Sequence, residues 1–196
     1  MYKNKYWEKL GKVFDPKSID NRPYWMNDFA QAPNAILLED RIRVYFCCRP
    51  PSDTPGNYVS RCAFVDLNKN DPLKIINVSK IPSLELGNCG DFDEFGTYPV
   101  SVYRDKDICF AIYGGWTRCQ SVPFDISLGI AFSKNNGITF EKKYRGPILS
   151  SSLNEPFVIT SPKIRKFNDS WFLTYTAGYK WIRDKEGRPE IIYKLR

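Results

Sequence analysis

The sequence predicts an all-β protein built from a repeated four-strand unit, the pattern of a β-propeller, and three observations carry that prediction. Aromatic residues make up 15% of the 196 residues and prolines outnumber glycines by 14 to 12, a composition that suits many short strands rather than long helices. Three segments share one shape: Ala32 to Arg49, Tyr98 to Trp116 and Ser161 to Trp181. Each holds a proline at the start of an extended run, then a polar turn with Asp40, Asp105 or Asp169, then a second aromatic and β-branched run, which is a β-hairpin signature. The anchor prolines, Pro33, Pro99 and Pro162, recur at intervals of 66 and 63 residues, and self-similarity at a fixed period marks a repeat architecture.

Taken in order, residues 1–31 form a lead-in, 32–90 the first unit, 91–155 the second and 156–196 a third, all within one domain. After its hairpin the first unit carries two more strand-like runs, NYVSRCAFVDL and LKIINVS; the second carries DISLGIAFS and ITFEKKY. Four strands per unit match a propeller blade, which makes about three blades here. Within the second unit Ser133 to Phe140, SKNNGITF, forms an Asn-Gly turn between the outer two strands. It resembles the Asp-box turn of sialidases, with Asn135 at the Asp position and Phe140 at the Trp position. Tyr193 follows Pro162 by the 31 residues that separate Ile130 from Pro99. Arg196 therefore falls inside the third strand of an incomplete unit. Propellers close with four or more blades, so the expectation is a C-terminally truncated, five-bladed protein. The alternative is a complete β-sandwich.

Several chemistries are excluded. The chain has no histidine, which removes Ser-His-Asp and Cys-His catalysis and His-ligated zinc; acid–base work falls to carboxylates, Tyr, Lys or Cys. The six cysteines include no Cys-x-x-Cys pair and most sit in apolar runs, so they read as reduced, buried thiols. No metal or cofactor is called for. Lys and Arg total 29 against 22 Asp and Glu, a net charge of +7. That field would steer an anionic partner, but the basic residues are dispersed, with no nucleic-acid tract. The opening MYKNKYWEKLGKVF is charged throughout, unlike a signal peptide, and no apolar run approaches the roughly 20 residues that span a bilayer. The expected address is the cytoplasm.

Each unit brings a carboxylate to the segment entering its innermost strand. Asp28 lies five residues before Pro33, Asp93 and Glu94 six and five before Pro99, and Glu155 seven before Pro162. Carboxylates converging on one cavity raise one another's pKa values, as acid–base catalysis at neutral pH requires, and two of them suffice for glycosidic-bond chemistry. The competing reading is a set of Asx-turns and solvated loops. Trp25, Trp116, Trp181 and Arg49 occupy the ends of hairpin strands or the lead-in; indole faces suit sugar rings and Arg supplies a fork of donors, while the competing reading is that they pack the propeller rim. Tyr98, beside Thr97, is placed to reach the same cavity.

The run WMNDFAQAPNAILLEDRIRVYF, from Trp25 to Phe46, resembles the opening blade of the five-bladed glycosidase propellers of glycoside hydrolase families 32 and 43, whose family 32 members carry W-M-N-D-P-N-G there. Trp25, Met26, Asn27 and Asp28 match; Phe29 to Ala32 are inserted before Pro33-Asn34. FDEFGTYPVSVYRD, YGGW, GIAFSKNNGITF and NEPFVITSPKI are similar to glycosidase-like proteins of this clan that accompany bacterial surface-polysaccharide genes. Two positions depart. Family 43 places its base directly before the first-blade proline, where this chain has Ala32. Its third-blade acid stands two before a proline, where this chain has Thr160. The resemblance implies a fold of the five-bladed glycosidase type acting on a glycan. In that scheme Asp28 is nucleophile or base, Glu155 the general acid and Asp93 a tuning carboxylate; Trp25, Asn27, Arg49, Glu94, Tyr98, Trp116 and Trp181 contact sugar. The alternative is a non-catalytic glycan-binding or scaffold propeller whose acids are structural.

Overall fold

A computed structural model describes residues 6–52, 58–106 and 108–196; the first five residues of the lead-in lie outside it. The described residues form three antiparallel sheets and no α-helix. The first sheet is a meander of β1 (Asp28–Leu37), β2 (Arg41–Arg49), β3 (Arg61–Asn68) and β4 (Ile75–Val78). The second repeats it with β5 (Gly96–Asp105), β6 (Ile108–Arg118), β7 (Phe124–Phe132) and β8 (Glu141–Lys142). The third holds β9 (Ile159–Phe167), β10 (Ser170–Arg183) and β11 (Pro189–Leu195), with β10 central. All three repeated hairpins are present, and so are the outer strands expected in units one and two. Among the described residues no sheet closes on itself. No helix there is long and apolar enough to cross a membrane.

The first strands of the three sheets lie side by side, and polar side chains join them. Asn34 on β1 accepts the Val102 backbone N–H of β5 at 3.0 Å, and Ser101 on β5 accepts the Ile164 N–H of β9 at 3.1 Å. Both bonds satisfy buried main-chain donors that no ladder reaches. The anchor prolines sit where these strands bend. Ala32 and Ser161, each directly before its proline, have φ of 41° and 54°, and the Tyr98–Pro99 peptide is cis. Register shifts interrupt the β1–β2 pairing between Gln31 and Asn34 and the β5–β6 pairing between Thr97 and Val100. Such bulges re-aim the chain and are common beside functional sites.

Alternating side chains then fill the spaces between sheets. Tyr45, Phe64, Val100, Val102, Ala111, Tyr113 and Phe140 form the core between the first and second sheets. Ile112, Leu128, Ile159 and Ile164 begin the core between the second and third. The outer side of the first sheet is covered by the lead-in: Met26 is fully buried there and Phe14 and Trp25 pack beside it. The Asn-Gly turn locks the first core. Asn135 accepts the Thr139 N–H at 2.9 Å and Ser133 accepts the Gly137 N–H at 2.8 Å. Phe140 leaves the turn to pack edge-on against Tyr45, whose hydroxyl donates to the Gly137 carbonyl at 2.7 Å. Gly137 has φ of 77°, and a Cβ there would lie 2.2 Å from the Tyr45 oxygen, so only glycine fits.

All six cysteines are free; Cys47, Cys48, Cys62 and Cys109 are buried and Cys89 and Cys119 exposed. Burial pushes the Cys47 thiol up to about 11, far from the thiolate form that reacts. A thiol-reactive probe at neutral pH is therefore expected to label two cysteines in the folded protein and all six in denaturant. Fast labelling of more than two without denaturant would contradict the packing described here.

Candidate functional site

A cavity of about 640 Å³ opens where the three sheets meet. Its first wall comes from the first sheet and the loop after β2: Arg49, Tyr58 and Ser60. The second sheet supplies Tyr98, Pro99, Trp116, Pro123, Phe124 and Ile126, and the third Thr160, Ser161, Thr176 and Tyr193. Aromatic faces and hydroxyls dominate this lining, with one guanidinium and, among the described residues, no carboxylate. Large, mostly apolar pockets with a few placed polar groups are the usual form of small-molecule sites.

Local sequence explains how the wall is set. Trp116 pairs with Gly96 across β5 and β6, and its indole lies over the glycine: a Cβ at Gly96 would overlap it. Trp116 then continues a run of rings, Phe95 at 6.4 Å on one side and Phe124 at 6.5 Å on the other, with Phe124 meeting Trp181 of the third sheet at 5.6 Å. Arg49 ends β2 near two rings, with its guanidinium carbon 5.0 Å from the Phe29 centroid and 4.5 Å from that of Tyr58. Its Nε donates to Ser60 Oγ at 3.1 Å. Burial pushes the Tyr98 phenol well above its ordinary value, with Cys47 adding to the shift and Arg49 opposing it; burial raises Tyr193 too. Both phenols stay protonated at neutral pH and act as hydrogen-bond donors or acceptors rather than bases. No three metal-ligating side chains converge among the described residues.

The residues singled out from the sequence fall into two groups. Arg49, Tyr98 and Trp116 line the cavity. Trp181 stands one ring behind its wall, against Phe124. Trp25 packs under the outer side of the first sheet. Asn27 accepts Arg22 at 3.1 Å and donates to Asp28 at 3.0 Å, and Glu94 accepts the Gly90 N–H at 2.9 Å within its own loop. Each of the three carboxylates is held in an ion pair of its own. Asp28 pairs with Lys17 at 2.6 Å and remains part exposed; it is the register partner of Arg49, which puts it at the rim. Asp93 is 1% exposed, accepts the Tyr113 hydroxyl at 2.8 Å and pairs with Lys142 at 2.6 Å. Glu155 accepts the Tyr175 hydroxyl at 3.0 Å and pairs with Arg196 at 2.7 Å, on a small depression formed with Ala177 and Lys194.

Tyr58, Phe124, Thr176 and Tyr193 of the lining were not evident in the sequence, because nothing local distinguishes them from other strand aromatics and threonines. Thr160 and Ser161 carry a signal in hindsight: they directly precede the third anchor proline, as Tyr98 precedes the second.

No family model matches the chain. Uncharacterized protein Rv1502 of Mycobacterium tuberculosis is 28% identical over 192 residues, covering 97% of this chain. The chain spans 60% of that relative's length. Among solved structures, one described as a glycoside hydrolase superimposes with a TM-score of 0.66 at 15% identity, covering 96% of this chain and 57% of its own. A glycosyl hydrolase from Bacteroides ovatus gives 0.62 at 17% identity, covering 91% and 57%. At these identities the likeness concerns the fold, which is glycosidase-like.

Proposed function

We propose that the chain is a carbohydrate-active protein whose cavity between the three sheets receives a glycan. The observation that carries this reading is the lining itself: the Trp116 indole and the Phe124 and tyrosine rings offer faces for sugar rings, and Ser60, Ser161, Thr160 and Thr176 offer hydroxyls at their edges. The glycosidase-like fold supports it. Binding without turnover is the reading favoured for the residues described, since their carboxylates stand off the wall and are paired. A hydrolytic reading rests on Asp28, which matches the W-M-N-D motif, stands at the rim opposite Arg49 and stays part exposed. Asp93 and Glu155 would then have to exchange the partners they hold for a sugar, Glu155 as general acid and Asp93 as tuning carboxylate.

We read the three sheets as successive blades, 32–90, 91–155 and 156–196, of a propeller of the five-bladed glycosidase type. Phe167, Phe172 and Leu195 on the third sheet are 63%, 51% and 77% exposed and give a further sheet a surface to cover.

A glycan array followed by titration of the hits tests the cavity. Trp116→Ala is expected to weaken binding of a hit roughly tenfold or more, as loss of a stacked aromatic does at other sites. Retention of full affinity by this variant would remove the cavity from the proposal. Incubating the same hits with the protein and following release of reducing ends separates binding from hydrolysis.

A further inference from the structure

Arg49 carries an inference about what the cavity selects, one that rests on the carbohydrate reading above. Its guanidinium is the cavity's one formal charge among the described residues, and nothing described there neutralises it. The carboxylate nearest in register, Asp28, is held by Lys17 at 2.6 Å and by the Asn27 amide at 3.0 Å. Arg49 Nε donates to the Ser60 hydroxyl at 3.1 Å and the buried Cys47 thiol also meets the group; both are neutral, and no described carboxylate pairs with the fork. The Phe29 and Tyr58 rings lie 5.0 and 4.5 Å from the group. Pro99, Phe124 and Ile126 contribute apolar wall, and a charge beside such a wall interacts more strongly than one in open water.

A guanidinium so placed matches a carboxylate or a phosphate with two parallel hydrogen bonds. A neutral sugar would leave that charge facing hydroxyls alone. Inorganic phosphate by itself would leave Trp116 and the tyrosines unused. We propose that the cavity selects an acidic sugar, the ligand's anionic group bound by Arg49 and its ring laid on the aromatic wall. The net charge of +7 favours approach of such a ligand.

The test titrates the protein, by calorimetry, with hexamers of polygalacturonate, alginate and hyaluronan. Each is paired with its carboxyl-reduced neutral counterpart, and glucose 1-phosphate is paired with glucose. At least one acidic probe is expected to bind about tenfold or more tightly than its neutral partner, the advantage of a charge-assisted pair over a neutral one; the uronate and phosphate arms tell which anion is preferred. Arg49→Gln is expected to abolish that preference, and Arg49→Lys, which keeps the charge but loses the fork, to retain part of it. Thermal melts of both variants establish that they fold. Equal affinity for acidic and neutral partners, or a preference that survives Arg49→Gln, overturns this inference and leaves the carbohydrate reading in place. Failure of every acidic and neutral probe, together with an empty glycan array, overturns both.

Discussion

Asp66→Ala is expected to lower unfolding stability by about 3–5 kcal/mol, the cost of removing one partner from a buried ion pair. Asp66 is fully buried and sits opposite Arg43 in the β2–β3 ladder. It accepts Arg43 Nε at 2.7 Å and a terminal Arg43 nitrogen at 2.9 Å, and Arg41 approaches at 3.3 Å. Arg43 is 3% exposed, lies 4.0 Å over the Phe64 ring and also donates to the Asn136 carbonyl at 3.0 Å. Without Asp66 that charge keeps only neutral partners, the Asn136 carbonyl and the Tyr45 hydroxyl, at a nearly buried position. Replacing both partners, Arg43→Met with Asp66→Leu, is expected to recover most of the loss, because two apolar groups need no pairing. Denaturant titration measures both; a change below about 1 kcal/mol for Asp66→Ala would falsify the assignment.

Asp93→Ala is expected to cost about 3 kcal/mol or more, because it leaves the Lys142 ammonium, itself buried although the stem is part exposed, without its counter-charge. Asp93 fills a space that two glycines leave for it: a Cβ at Gly115 would stand 2.5 Å from its Cβ, and one at Gly87 2.2 Å from its carboxylate oxygen. Removing it strands the Tyr113 hydroxyl, whose ring is 1% exposed, and unpairs Lys142. Burial raises the Tyr113 phenol far above its ordinary value, and Asp93 raises it further, so the phenol stays a donor to the carboxylate across the neutral range. Asp93→Asn, which keeps the shape and one acceptor, should recover part of the stability. The same variants bear on function. A stability loss in Asp93→Ala with unchanged affinity for a glycan hit makes the residue structural; a stable variant that loses turnover of a substrate would restore it to the catalytic set.

The three hairpins were legible in the sequence because what makes them is local. Pro33, Pro99 and Pro162 begin extended runs, Asp40, Asp105 and Asp169 mark the turns, and the aromatic runs that follow are strand formers. Arg49, Tyr98 and Trp116 were legible as cavity residues for the same reason, since position along a repeated hairpin predicts which end of the strand a residue occupies. The partners of the carboxylates were not legible. Tyr113 and Lys142 reach Asp93 from 20 and 49 residues along the chain, and Lys17 reaches Asp28 from the lead-in. Arg43 illustrates the limit: alternation puts it on one face with Tyr45 and Cys47, but only the strand opposite supplies the acid that lets it stay there.

By itself, then, the sequence determined an all-β protein made of repeated hairpins, without histidine chemistry. Composition, turn residues and period-two alternation act within a few residues of one another. Tertiary structure decided which side chains share the cavity. Asn34 and Ser101 tie neighbouring inner strands together, the bends at Ala32, Pro99 and Ser161 turn those strands, and the result brings Arg49, Trp116 and Tyr193 to one space while holding Asp28, Asp93 and Glu155 in separate ion pairs. Convergence is a property of packing between sheets, and packing depends on contacts made across more than 60 residues of chain.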